Sequence, residues 1–139
     1  MWATRVWYLM NAFGFEGQVS VLDGGLKAWT RAGGGTESGV APQKPTPTPL
    51  PIRQARRTAF VGKEEVLRAI DADEGLIVDT LKPASFDGSK ESRYGRRGHI
   101  RTAVNVPYTS LLDEAGCFLP EPERRRARAG VGDEPVLAY

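Results

Sequence analysis

Five prolines fall within ten residues, at Pro42, Pro45, Pro47, Pro49 and Pro51, and no other feature of this chain restricts its fold more. Proline fixes φ and removes a backbone donor, so such a run belongs neither inside a helix nor in a central strand. From Gly34 to about Arg57 the composition is dominated by Gly, Pro, Thr and basic residues, which favours extended polyproline geometry. Roughly two dozen residues without regular structure are unusual within a compact fold. Residues 40–57 are therefore read as an interdomain linker rather than as a surface loop of one domain. The chain is divided into residues 1–39 and 58–139.

Before the linker, Ala3, Val6, Trp7, Met10 and Phe13 fall at the spacing that lines one helix face, and Gly14 supplies a stop. Val19-Ser20-Val21-Leu22 reads as a short strand, and the turn Asp23-Gly24-Gly25 launches a second helix through Leu26 and Trp29 to Ala32. The glycines Gly33, Gly34 and Gly35 end it. Trp2, Trp7 and Trp29 are expected to pack between helix and sheet. One helix, one strand and one more helix cannot bury their apolar surface without neighbouring strands, so this half is expected to be an incomplete domain.

After the linker, Gly62 precedes a helix from Lys63 to about Ala72 whose residues Val66, Leu67 and Ile70 share a face. Leu76 to Asp79 reads as a strand, and a long polar loop through Gly88, Tyr94, Arg96 and Arg97 reaches Gly98. Ala103 to Val106 is the next strand. Pro120 and Pro122 suit the first turn of a helix over Glu123 to Ala129, and Pro135 to Tyr139 forms a last strand. Short apolar strands alternating with helices predict an α/β fold with a mainly parallel sheet, in which the strand ending at Pro107 lies beside the one ending at Tyr139. Chemistry in such sheets sits beyond the strands' carboxyl ends.

Nineteen basic residues against seventeen acidic ones leave a charge of +2, too little to make nucleic acid the main partner. The single cysteine, Cys117, excludes an internal disulfide framework and a multi-thiolate zinc site. No apolar run approaches the ~20 residues of a membrane span, and the first residues lack a secretory h-region. A soluble cytoplasmic chain without a cofactor is expected. Arg124, Arg125, Arg126 and Arg128 read as a solvated helix face. Asp79, at a strand end, reads as a carboxylate fixing a turn rather than as a catalytic group.

Arg5-Val6-Trp7, Val19 through Gly25 with Trp29, Gly98-His99-Ile100 and Asn105-Val106-Pro107 occur here in an order and spacing that resemble the tandem-domain rhodaneses, the thiosulfate and 3-mercaptopyruvate sulfurtransferases. The resemblance implies two rhodanese-like three-layer domains, both incomplete here. Residues 1–39 would be the carboxyl half of the first and residues 58–139 the amino half of the second. It also implies transfer of sulfane sulfur from a small anionic donor to a thiol or cyanide through a cysteine persulfide.

In the family the nucleophile stands in a glycine-rich loop directly after the last strand, so the expected cysteine would follow Tyr139 and residues 1–139 alone are expected to be inactive. Cys117, which precedes a helix, reads as a packed small side chain. Family members hold the anionic donor with arginines where this sequence has Leu81 and Ser85; Lys82, Arg96 and Arg97, with Arg93, are the candidate replacements. Asp23, Gly24, Gly25, Asp79, Gly98, His99, Asn105 and Pro107 are implied to shape the fold rather than react. The alternative is a catalytically dead rhodanese-like binding or anion-sensing module, and uncovered strands would permit self-association.

Overall fold

In a computed structural model, the structure describes residues 2–40, 49, 59–92, 95–132 and 135–139. The chain forms two units, residues 1–60 and 61–139. Most of the expected linker, 41–48 and 50–57, lies outside the described residues, as do Thr58, Arg93 and Tyr94.

In the first unit, helix α1 (Trp2–Ala12) ends where Gly14, at φ 73°, turns the chain left-handed. The amides of Gly14 and Phe15 then bond back to Asn11 and Met10 at 3.1 and 2.9 Å, capping carbonyls that the helix leaves open. Helix α2 (Gly25–Arg31) ends in the same way at Gly33. The Trp29 ring lies over Gly34, where a Cβ would come within 2.1 Å of it, and its Nε1 donates to Gly35 O at 2.8 Å. Tyr8 meets Phe60 edge-on at 5.7 Å and donates to the carbonyl of Ala59, while Phe13 lies 6.2 Å from Phe60.

Two expectations fail in this unit. Val19–Leu22 is not a strand: among the described residues no neighbouring strand pairs with it, and an extended segment without a ladder has no cross-chain bonds to hold it. The tryptophans are not packed between helix and sheet, since Trp2 is 76%, Trp7 41% and Trp29 45% exposed. The cause is the same: the described residues of the first unit form no sheet for the rings to pack against.

The second unit carries the sheet. Helix α3 (Lys63–Ala72) starts at Gly62, whose N–H is held by the Glu65 carboxylate at 2.8 Å, and Asp73 takes the left-handed position at its end. Strand β1 (Leu76–Asp79) follows, then a one-turn helix α4 (Pro83–Phe86), strand β2 (Val104–Asn105), a 3-10 turn (Tyr108–Leu111), helix α5 (Glu121–Ala127) and strand β3 (Val136–Ala138). The order is β2-β1-β3, all parallel, with Val78 opposite Val104 and Ile77 opposite Leu137.

β1 therefore separates the two strands that were expected to be neighbours. The physical reason is burial. Ile77, Val78 and Asp79 are the strand residues shielded on both faces, whereas β2 is half-buried and β3 alternates exposed and half-buried. Among the described residues the buried apolar core is Ile77, Val78 and Ala103, with Ala12 in the first unit. The α4 turn and the 3-10 turn carry no helical apolar period and were not expected. α5 begins at Glu121 rather than Glu123, with Pro122 in its first turn. No helix among the described residues is long and apolar enough to cross a membrane.

Candidate functional site

The carboxyl edge of the sheet is tied by one continuous set of hydrogen bonds. It begins with Asp79, which is 1% exposed and lies where β1 leaves the core. Its Oδ1 accepts the Leu81 N–H at 2.6 Å, so the carboxylate turns the chain within two residues. Asn105, at the end of β2, donates from Nδ2 to the carbonyls of Asp79 and Leu81 at 3.1 and 2.9 Å. Tyr108 N–H reaches Thr80 O at 2.9 Å, and Thr80 donates from its N–H and its hydroxyl to Tyr139 O, at 3.4 and 3.1 Å. Each backbone polar group of Thr80 and Leu81 is thereby bonded, and the turn is fixed before Lys82 emerges from it.

Tyr139 closes the set from the far edge. Its hydroxyl accepts the Ile100 N–H at 2.8 Å and hydrogen-bonds the Asp79 side chain. Burial raises the phenol above the usual tyrosine range, and the Asp79 hydrogen bond and negative charge raise it further against the opposing pull of the Ile100 N–H. Nothing in the sequence marks this residue's part. An aromatic with a polar tip at a strand end was the available signal, but its partner is a loop amide that only the fold brings near.

The remaining expected residues spread around this edge. His99 stacks on Phe86 at 3.7 Å between centroids and 9° between planes, with Nδ1 2.7 Å from Phe86 O. A carbonyl only accepts, so Nδ1 carries the proton. Gly98, at φ 93°, brings the chain over Gly88, where an added Cβ would stand 3.3 Å from Gly98 N. Ser89 N–H holds the Asp87 carboxyl in the same turn, at 2.8 Å, and lowers it below the usual carboxylate range. Pro107 O accepts from the N–H and hydroxyl of Ser110, at 2.9 and 2.8 Å, starting the 3-10 turn.

Lys82 stands at the amino end of α4, its carbonyl accepting from Ser85 and Phe86 at 2.8 and 3.1 Å. Arg97 lies past the other end of α4 and pairs with Glu91 at 3.2 Å, while Arg96 is exposed. Lys82 and Arg97 thus stand at opposite ends of the single turn α4. Asp23, Gly24 and Gly25 belong to the first unit, where Gly24 and Gly25, at φ 69° and 58°, turn the chain into α2. Cys117 is half-buried in a small hairpin between Leu112 and Phe118. Its N–H bonds the Asp113 carboxylate at 2.8 Å and its carbonyl accepts Asp113 N–H at 2.9 Å. It stands in this hairpin and not at the end of a parallel strand.

A parallel sheet alternating with helices and laced at its carboxyl ends defines an α/β protein. SseA of Escherichia coli, described as a 3-mercaptopyruvate sulfotransferase with the rhodanese fold, superposes with a TM-score of 0.74 at 32% identity, over 96% of this chain and 50% of its own. The 3-mercaptopyruvate sulfurtransferase of Leishmania major gives 0.70 at 26% identity, over 91% of this chain and 34% of its own. No protein-family model matches the chain.

Among curated proteins, SseB of Mycobacterium tuberculosis, provisionally named a thiosulfate sulfurtransferase, is 37% identical over 84% of this chain and 40% of its own length. Human 3-mercaptopyruvate sulfurtransferase is 35% identical over 82% of this chain and 38% of its own. The chain is homologous to the rhodanese-type thiosulfate and 3-mercaptopyruvate sulfurtransferases and spans about 40% of the length of these relatives.

Proposed function

We propose that the protein to which these residues belong is a sulfurtransferase that moves sulfane sulfur from thiosulfate or 3-mercaptopyruvate to a thiol or cyanide. A cysteine thiolate attacks the donor's transferable sulfur, the donor remnant leaves, and the resulting persulfide gives its outer sulfur to the acceptor. The observation that carries this reading is identity of 32% joined to a TM-score of 0.74 across 96% of the chain with a protein described as acting on 3-mercaptopyruvate. On this reading residues 1–39 complete a first domain and residues 58–139 begin a second, and the nucleophile follows β3. Lys82, Arg96 and Arg97 form the cationic rim that meets the anionic donor, and the protein works in the cytoplasm. Residues 1–139 alone do not turn over.

Two assays test it: thiocyanate from thiosulfate and cyanide, and pyruvate from 3-mercaptopyruvate, each run on residues 1–139 and on the full-length protein. Turnover by the full-length protein alone supports the reading. Turnover by residues 1–139 that Cys117→Ser abolishes would place the nucleophile in the hairpin and overturn it. One observation favours a second reading, a rhodanese-like binding module without turnover: the single cysteine of these residues sits in a hairpin away from the strand ends. A full-length protein that binds thiosulfate in a thermal shift yet releases no product would select that reading.

A further inference from the structure

Of the polar groups at the sheet's carboxyl edge, Tyr139 is the one whose side chain ties the end of β3 to the end of β1 and to the loop entering β2, and nothing in the sulfur-transfer reading uses it. A phenol hydroxyl offers one donor and two acceptor positions. Here it accepts the Ile100 N–H at 2.8 Å, from the loop entering β2, and donates to the Asp79 carboxylate at the end of β1. Its own backbone carbonyl is held by the Thr80 N–H and hydroxyl, at 3.4 and 3.1 Å. Main chain and side chain of one residue are thus anchored to different partners.

We infer that Tyr139 is a positioning residue for sulfur transfer, holding the exit of β3 through its Ile100 and Asp79 hydrogen bonds so that the group next in the chain is aimed at the donor bound over the strand ends. This rests on the proposed function, in which that group bears the thiolate. Donor affinity depends on the cationic rim, whereas attack depends on the direction of the exit. Loss of the hydroxyl therefore acts on kcat and leaves the KM of the donor in place.

The test is Tyr139→Phe in the full-length protein, which keeps the ring and removes both side-chain bonds. Rates are expressed per mole of folded protein, with folding checked by melting temperature and near-UV circular dichroism. A fall in kcat of roughly ten- to a hundredfold, the scale of a misplacement of about 1 Å, with KM within about twofold, is the expected result. A folded variant with wild-type kcat, or one whose loss lies wholly in KM, overturns the assignment. If Tyr139→Phe does not fold, Thr80→Val removes only the hydroxyl bond to Tyr139 O and is held to the same split. Wild-type protein without turnover on either donor would defeat the proposed function itself, an outcome distinct from normal turnover that Tyr139→Phe leaves untouched.

Discussion

Asn105 makes the plainest case for a side chain acting as backbone. Its Nδ2 supplies the Leu81 carbonyl with a partner where the ladder stops, and adds a second donor to the Asp79 carbonyl, which the Val106 N–H also reaches at 2.9 Å. Asn105→Ala should leave the Leu81 carbonyl without its bond, while Asp79 O keeps the Val106 N–H, and cost about 0.5–1.5 kcal/mol in a urea titration. Asn105→Asp should be at least as harmful, since it sets a second negative charge against the same carbonyls. His99 contributes through a ring stack and one hydrogen bond to Phe86. His99→Ala should cost about 1–2 kcal/mol, and His99→Phe, which keeps the stack, less than half of that, as read from the shift in the denaturation midpoint.

Tyr139 adds a pH signature. Its folded pKa is raised, so the contribution is fully present below the unfolded value near ~10 and is lost as pH rises through the folded value. Melting temperature should therefore fall more steeply above about pH 10 in the wild type than in Tyr139→Phe. Equal slopes would mean that the phenol is not held in its neutral form.

Among the elements, α5 tests how far ion pairs matter. Glu121 meets Arg124 at 2.7 Å, Arg125 at 3.0 Å and Arg128 at 3.5 Å, with side chains between 37% and 72% exposed. Exposed pairs are screened and lose side-chain entropy, so Glu121→Gln should cost no more than about 1 kcal/mol, with the difference shrinking in 0.5 M salt. A cost of several kcal/mol would show that the three arginines depend on that one carboxylate.

The elements also show what a sequence can carry. α3 and β1 were legible because apolar spacing and the punctuation of Gly62 and Gly75 agree there, and local preference coincides with the final packing. Val19–Leu22 has the composition of a strand, yet a strand exists only through its partner, and pairing is not written in the segment itself. α4 is a single turn, below the length at which a period can be seen. Strand order was misread for a similar reason: three short apolar runs look alike until burial selects β1 as the centre. At the candidate site, the glycine and asparagine motifs pointed to Asp79, His99 and Asn105, while Tyr139 and Thr80 became visible only when the strand ends met.

On the scale of the whole molecule, much apolar surface remains in contact with water. Trp2, Val6, Phe13, Leu22 and Leu26 are each at least half exposed in the first unit. Surface of this kind favours association and binds hydrophobic dyes. Residues 1–139 should enhance the fluorescence of such a dye strongly and show a mass that rises with concentration in analytical ultracentrifugation. The full-length protein should do neither. A monodisperse 1–139 monomer that ignores the dye would show that this surface is covered within the chain.

The β2-β1-β3 order also has a consequence for the growing chain. Leu76 to Val78 pair with Val136 to Ala138, so one edge of the central strand stays unpaired until nearly all of these residues have been made. Long-range parallel pairing closes slowly, because the intervening loop must be ordered before the contact can form. A ribosome paused before β3 would thus hold out Leu76-Ile77-Val78, an apolar strand with a bare edge, to any neighbour able to extend it.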